Sequence, residues 1–79
     1  MTSQELQAKV LATKLFLDRE IVRNKKGESS SLSFREIGVR MDMIHEAERV
    51  GVRNLGEREN RKLTRMIRQL EEITSVSLN

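Results

Sequence analysis

Five cations crowd the last third of the chain. Arg58, Arg61, Lys62, Arg65 and Arg68 recur at steps of three and four, the spacing that gathers side chains on one side of an α-helix. Guanidinium and ammonium groups in such a row suit the electrostatic capture of an anion, phosphate above all. Contact with a phosphate backbone needs only cations and backbone amides, so the row suits DNA or RNA. Leu63, Met66, Ile67, Leu70 and Ile73 fall on the other side, which predicts a helix with a wet basic face and an apolar reverse. Glu57 precedes Arg61 by four and Arg68 precedes Glu72 by four, so ordinary intrahelical ion pairs compete for two of the arginines. Arg23, Lys25 and Lys26 form a second, smaller cationic group.

Other chemistry has little to work with. His45 is the sole imidazole. As a general base it needs an orienting partner and a nucleophile, and helical spacing offers it only Asp42, Glu48 and Arg49. Glu46/Glu48 and Glu71/Glu72 do not share a helix face and read as solvated charges. With no Cys and one His, neither a thiolate nor an imidazole metal cluster is expected. Gly51 and Gly56 match no nucleotide-binding fingerprint. A non-enzymatic protein without cofactor or metal is the expectation. Single-strand binding wants exposed aromatic platforms, and the two aromatics, Phe16 and Phe34, read as core.

Seventy-nine residues make one domain, 1–79, with a small core. Disulfide staples are ruled out, which leaves oligomerisation as a route to extra stability. The net charge of +3 is uneven: residues 1–40 hold eight Lys/Arg against five Asp/Glu, and residues 41–79 hold seven of each. The start, Met1-Thr2-Ser3-Gln4-Glu5, is acidic, and no stretch resembles a secretory h-region or reaches membrane-span length. A cytoplasmic location is therefore expected.

An all-α fold must position these groups. Pro is absent, and three cap-x-x-Glu signals appear at Thr2…Glu5, Ser33…Glu36 and Asn54…Glu57. They predict helices over about 3–24, 33–50 and 55–74, with a loop at 24–32 and a frayed end from Ser75 to Asn79. The first helix carries two apolar stripes: Leu6, Val10, Leu17 and Ile21, then Leu11, Leu15 and Val22. Lys14 and Asp18 lie between them at ion-pair spacing. A helix apolar on two sides needs two partners. The chain's other helices supply one, and a second copy is expected to supply the other, so these seven residues are the expected dimer interface. The middle segment also has two apolar faces: Phe34, Ile37, Met41 and Ile44, then Val39, Met43, Ala47 and Val50. A break near Asp42 would reconcile them.

Phe34 to Leu55 resembles the helix-turn-helix pattern, with Gly38 at the helix crossing, Asp42 at the turn and Met43 as the apolar residue that follows. It departs from that pattern at the turn, usually Gly, and at Glu48 and Gly51, where apolar residues are expected. The resemblance implies that His45, Glu46 and Arg49 face base edges. The leading expectation is nucleic-acid binding in control of transcription or another DNA transaction, through the five C-terminal cations aided by Arg23, Lys25 and Lys26. The competing expectation is a dimeric protein–protein module: an inhibitor, an adaptor or a regulatory subunit. In that case the surplus apolar face and the pliant Met41, Met43 and Met66 matter more.

Overall fold

The computed structural model describes residues 2–75 and 78. Three helices follow one another: α1 (Ser3–Lys25), α2 (Phe34–Val50) and α3 (Glu57–Thr74), with a 3₁₀ turn at Val52–Asn54 between the last two. No strand occurs among the described residues. The fold is a small all-α bundle.

Local chemistry explains most of the boundaries. Thr2 Oγ1 accepts from the Glu5 N–H at 3.2 Å and caps α1. Ser33 and Glu36 form a full capping box at α2, with Ser33 Oγ accepting from the Glu36 N–H at 3.1 Å and Glu36 Oε1 accepting from the Ser33 N–H at 3.4 Å. The third signal works differently. α3 starts at Glu57 behind Gly56, without a side-chain cap. Asn54 lies in the 3₁₀ turn, and its amide donates to the Val50 carbonyl at 3.0 Å, which helps close α2 instead of opening α3. Gly51 ends α2 at φ 88°, where a side chain would be strained, and a Cβ there would sit 3.3 Å from the Asn54 amide.

The expected break at Asp42 does not occur. α2 runs unbroken from Phe34 to Val50. Its two apolar faces are accommodated by unequal burial. Ile37, Met41, Ile44 and Ala47 enter the core, Met43 and Val50 are half-buried, and Val39 stays 59% exposed. An exposed Val costs little, whereas a turn would leave several backbone groups without helical partners. Phe34, expected in the core, is 56% exposed. It is the first residue of α2, and its side chain falls at the edge of the buried arc. Phe16, off both stripes of α1, is half-buried and packs against the core.

α1 and α2 run antiparallel. Lys14 Nζ meets Glu48 at 3.2 Å, and at the other end Asn24 Nδ2 donates to the Leu32 carbonyl at 2.9 Å. Lys14 thus joins two helices in place of the local pair expected with Asp18. α3 is tied to α1 by Lys9–Glu71 at 3.5 Å. Glu71 is therefore a partly buried strut and not a solvated charge. Its other oxygen accepts from the Leu78 N–H at 3.1 Å, and Leu78 is buried with the core. The fraying expected after Thr74 fails at Leu78, while Val76, Ser77 and Asn79 lie outside the described residues. Leu32, from the loop, is buried too. Beside it Ser30 Oγ donates to the buried carboxylate of Glu20 at 2.5 Å, and the Leu32 N–H donates back to Ser30 Oγ at 3.3 Å.

Candidate nucleic-acid interface

α3 divides its sides as its spacing predicts. Leu63, Met66, Ile67 and Leu70 are buried, Arg58, Arg61, Arg65 and Arg68 are exposed on the side away from them, and Lys62 is exposed at the edge of that side toward α2. Ile73, assigned to the apolar side, is 51% exposed near the end of α3. At 1.5 Å per residue the cations from Arg58 to Arg68 span about 15 Å. Within this row the structure records one ion pair, Arg61–Glu57 at 3.9 Å with both side chains open to water. A pair so long and so exposed restrains Arg61 weakly. The expected Arg68–Glu72 pair is not formed among the described residues. Of the acids on α3, Glu71 is engaged by Lys9. By helical phase Glu59 turns toward α2, where it lines the hollow described below. Lys62 lines the same hollow as Glu59, so with Glu57 and Glu72 on the basic side the outer face sets four arginines against two carboxylates.

Such a face can hold phosphates by charge-assisted hydrogen bonds from the arginine forks. The apolar reverse sits in the core, so the row is held on a rigid element. Glu57 and Glu59 in the first turn complement the helix dipole there, which supports the helix while Glu57 draws only weakly on Arg61.

The other cationic residues fall elsewhere. Arg23 and Lys25 belong to the last turn of α1, and Lys26 caps it. Lys9, where α3 is tied down, lies fourteen residues before Arg23 on the same helix, about 21 Å along its axis. No hydrogen bond or ion pair links this end to α3 among the described residues. Arg23 itself lies 3.9 Å from Glu20.

His45, Glu46 and Arg49 are exposed in the second half of a continuous helix. With no turn at Asp42 there is no separate recognition helix, and the base-edge role implied by the helix-turn-helix resemblance loses its scaffold. Glu46 and Arg49 serve each other: Arg49 Nε donates to Glu46 Oε2 at 3.0 Å, and a second guanidinium nitrogen donates to Oε1. That hydrogen bond holds the Glu46 carboxyl below its ordinary pKa, against desolvation and with a smaller contribution from the attraction of the guanidinium charge. Hydrogen bonding to Glu46 raises Arg49 in turn.

The expected dimer residues separate into two groups. Leu6, Val10 and Leu17 are buried in the chain's own core and Ile21 is half-buried against it, so these four are taken and cannot serve a second copy. Leu11, Leu15 and Val22 are exposed. The sequence reading also missed a hollow of about 460 Å³ between α2 and α3, with Val39, Met43, Val50 and Leu55 as its apolar part and Asp42, Glu46 and Glu59 among its acids. The signal was present in the second apolar face of α2, which reads as a break only if every apolar residue must be buried.

Among the described residues no three His, Asp or Glu side chains are grouped to hold a metal ion, and no helix is long and apolar enough to cross a membrane. No family model, no curated protein and no solved structure matches this chain.

Proposed function

We propose that this protein is a non-enzymatic nucleic-acid-binding module that acts on DNA or RNA in the cytoplasm, in control of transcription or a related transaction. The observation that carries the reading is the outer face of α3, where five exposed cations stand on a rigid helix with one weak ion pair among them. Arg61 and Arg65 lie at its centre, with Arg58 and Arg68 toward its two ends and Lys62 at its edge. The mechanism is phosphate engagement. Contacts of this kind give affinity and orientation without sequence readout, and the continuous α2 supplies no second reading element. The cations at the end of α1 form a separate patch, available to a different stretch of the same polymer.

A mobility-shift titration against duplex DNA and RNA tests this. Neutralising five phosphates predicts a slope of about −4.5 in log K against log salt on duplex DNA. Arg61→Glu with Arg65→Glu should lower affinity at least about 100-fold and flatten that slope by roughly two, at unchanged thermal stability. Absence of binding at low salt, or binding that survives the double reversal, overturns the reading.

One observation favours the second reading, a protein–protein module. Leu11, Leu15 and Val22 leave an apolar stripe on α1 uncovered. Recovery of a stoichiometric protein partner from nuclease-treated native lysate, together with loss of that partner in Leu15→Glu, would support it. Recovery of the protein alone would count against it.

A further inference from the structure

The uncovered face of α1 has a helical partner written into its spacing. Gln4, Ala8, Leu11, Leu15, Asp18 and Val22 recur at alternating steps of four and three, the heptad spacing of a helix that packs along another helix. All six are exposed, with Leu11 at 57%, Leu15 at 51% and Val22 at 49%. We propose that this face pairs with the same face of a second copy, α1 antiparallel to α1, with Leu11 of each copy against Leu15 of the other. The inference rests on α1 alone and is independent of the nucleic-acid reading of α3.

Charge selects the occupant and its direction. Glu5, Ala12 and Arg19 flank the seam on one side, and Gln7, Lys14 and Ile21 on the other. In a parallel pair Lys14 would face Arg19 of the second copy and Asp18 would face Asp18, both like-charged. In an antiparallel pair like flanks meet, so Glu5 of each copy faces Arg19 of the other, twice by symmetry. Lys14 then faces its own counterpart, and Glu48 of its own chain, 3.2 Å away, softens that contact as it would soften Lys14–Arg19 in a parallel pair, so the choice rests on Asp18 and on the Glu5–Arg19 pairs. Three antiparallel registers interleave the seam. One sets Asp18 against Leu15, which buries a carboxylate on an apolar side chain. Another leaves Val22 beyond the contact. The third pairs Leu11 with Leu15, puts Asp18 opposite the small Ala8, and is the register that brings Glu5 to Arg19.

Size sets the strength. Gln4 to Val22 is about 27 Å of helix, and a strip about 10 Å wide is well short of the roughly 800 Å² per partner of a standard interface. Two hollows widen it. One of about 820 Å³ adjoins Gln4, Ala8 and Leu11, and one of about 420 Å³ adjoins Leu15, Asp18 and Val22. The antiparallel arrangement sets the first hollow of each copy beside the second of the other. A dimer with micromolar dissociation is expected.

The chain has no cysteine, so introduced thiols report alone. Oxidising a mixture of full-length Gln4→Cys and Val22→Cys chains should give the mixed disulfide at least about ten times faster than either variant joins itself, because like positions lie about 27 Å apart across an antiparallel pair. In sedimentation equilibrium Leu15→Glu should weaken the dimer at least 100-fold with helical circular dichroism unchanged. Glu5→Arg or Arg19→Glu alone should weaken it about fivefold, and the two together should restore it, whereas in a parallel pair Arg19→Glu would tighten association. A wild-type monomer at several hundred micromolar, like-with-like disulfides formed as readily, or a dimer indifferent to Leu15→Glu overturns the proposal. Failure of nucleic-acid binding leaves these measurements unchanged, so the two ideas fail separately.

Discussion

α3 and α1 use similar materials in opposite ways. α3 keeps its apolar residues on one side and its cations on the other, and the fold buries the first and exposes the second. α1 is apolar on two sides. Leu6, Val10 and Leu17 pack inside, while Leu11, Leu15 and Val22 face out. A helix with one greasy side is covered by its own chain; a helix with two keeps part of the second open to water, as Val39 does on α2, because a bundle this small has elements enough to cover one. The basic face of α3 therefore follows from the chain itself, and the second face of α1 is the surface on which the proposed pairing rests.

The contrast is sharpest between the two sides of α1. Leu17→Ala empties a fully buried site and should cost about 2.5–5 kcal/mol of stability, a large share of what so small a domain has. Leu15→Ala, measured at a concentration that keeps the protein monomeric, should change stability by less than about 0.5 kcal/mol. Urea denaturation of both variants compares them directly, and equal effects would mean that α1 has no distinct inner and outer side.

The attachment of α3 comes next. Glu71 holds Lys9 and receives the Leu78 N–H, so Glu71→Ala should cost about 1–3 kcal/mol by leaving partly buried donors unpaired. Glu72→Ala, one residue on and exposed, should stay near zero in the same melts. A comparable loss at both positions would show that the strut carries no special weight.

Helix starts give a smaller effect. Ser33→Ala removes a full capping box and should cost about 1 kcal/mol, whereas Asn54→Ala should cost about half that, since Asn54 starts no helix and makes one exposed bond to Val50 at the end of α2. Thermal melts that rank them the other way would restore Asn54 as the start signal for α3. The smallest effect belongs to Glu46. Its carboxyl is held below the ordinary value by Arg49, so the pair's contribution is present above the unfolded pKa and is lost as pH falls through the lower folded one. An NMR titration should place the Glu46 midpoint below that of an ordinary glutamate, and Arg49→Gln should return it toward the ordinary value. An unchanged midpoint would remove Arg49 as the cause.

Legibility tracked how far each cause acts along the chain. The caps at Thr2 and Ser33, and the inner and outer sides of α3, depend on residues three or four apart, and they follow from spacing. Spacing alone offers Lys14 the nearby Asp18, yet the antiparallel packing of α1 on α2 brings Glu48 closer. The two apolar faces of the middle segment predict a break at Asp42, and the tertiary fold instead tolerates an exposed Val39. Leu32 and Leu78 lie outside the periodic segments, so their burial leaves no local trace.

By itself the sequence determined three helices, their first two caps and the separation of charge from apolar surface along α3, because each is written within one or two helical turns. Only the tertiary structure decided which stripe of α1 turns inward, that α2 continues through Asp42, and that Lys9 and Lys14 bind acids on other helices. Those outcomes depend on which surfaces meet after the chain reverses direction, and contact between residues far apart in sequence carries no periodic mark.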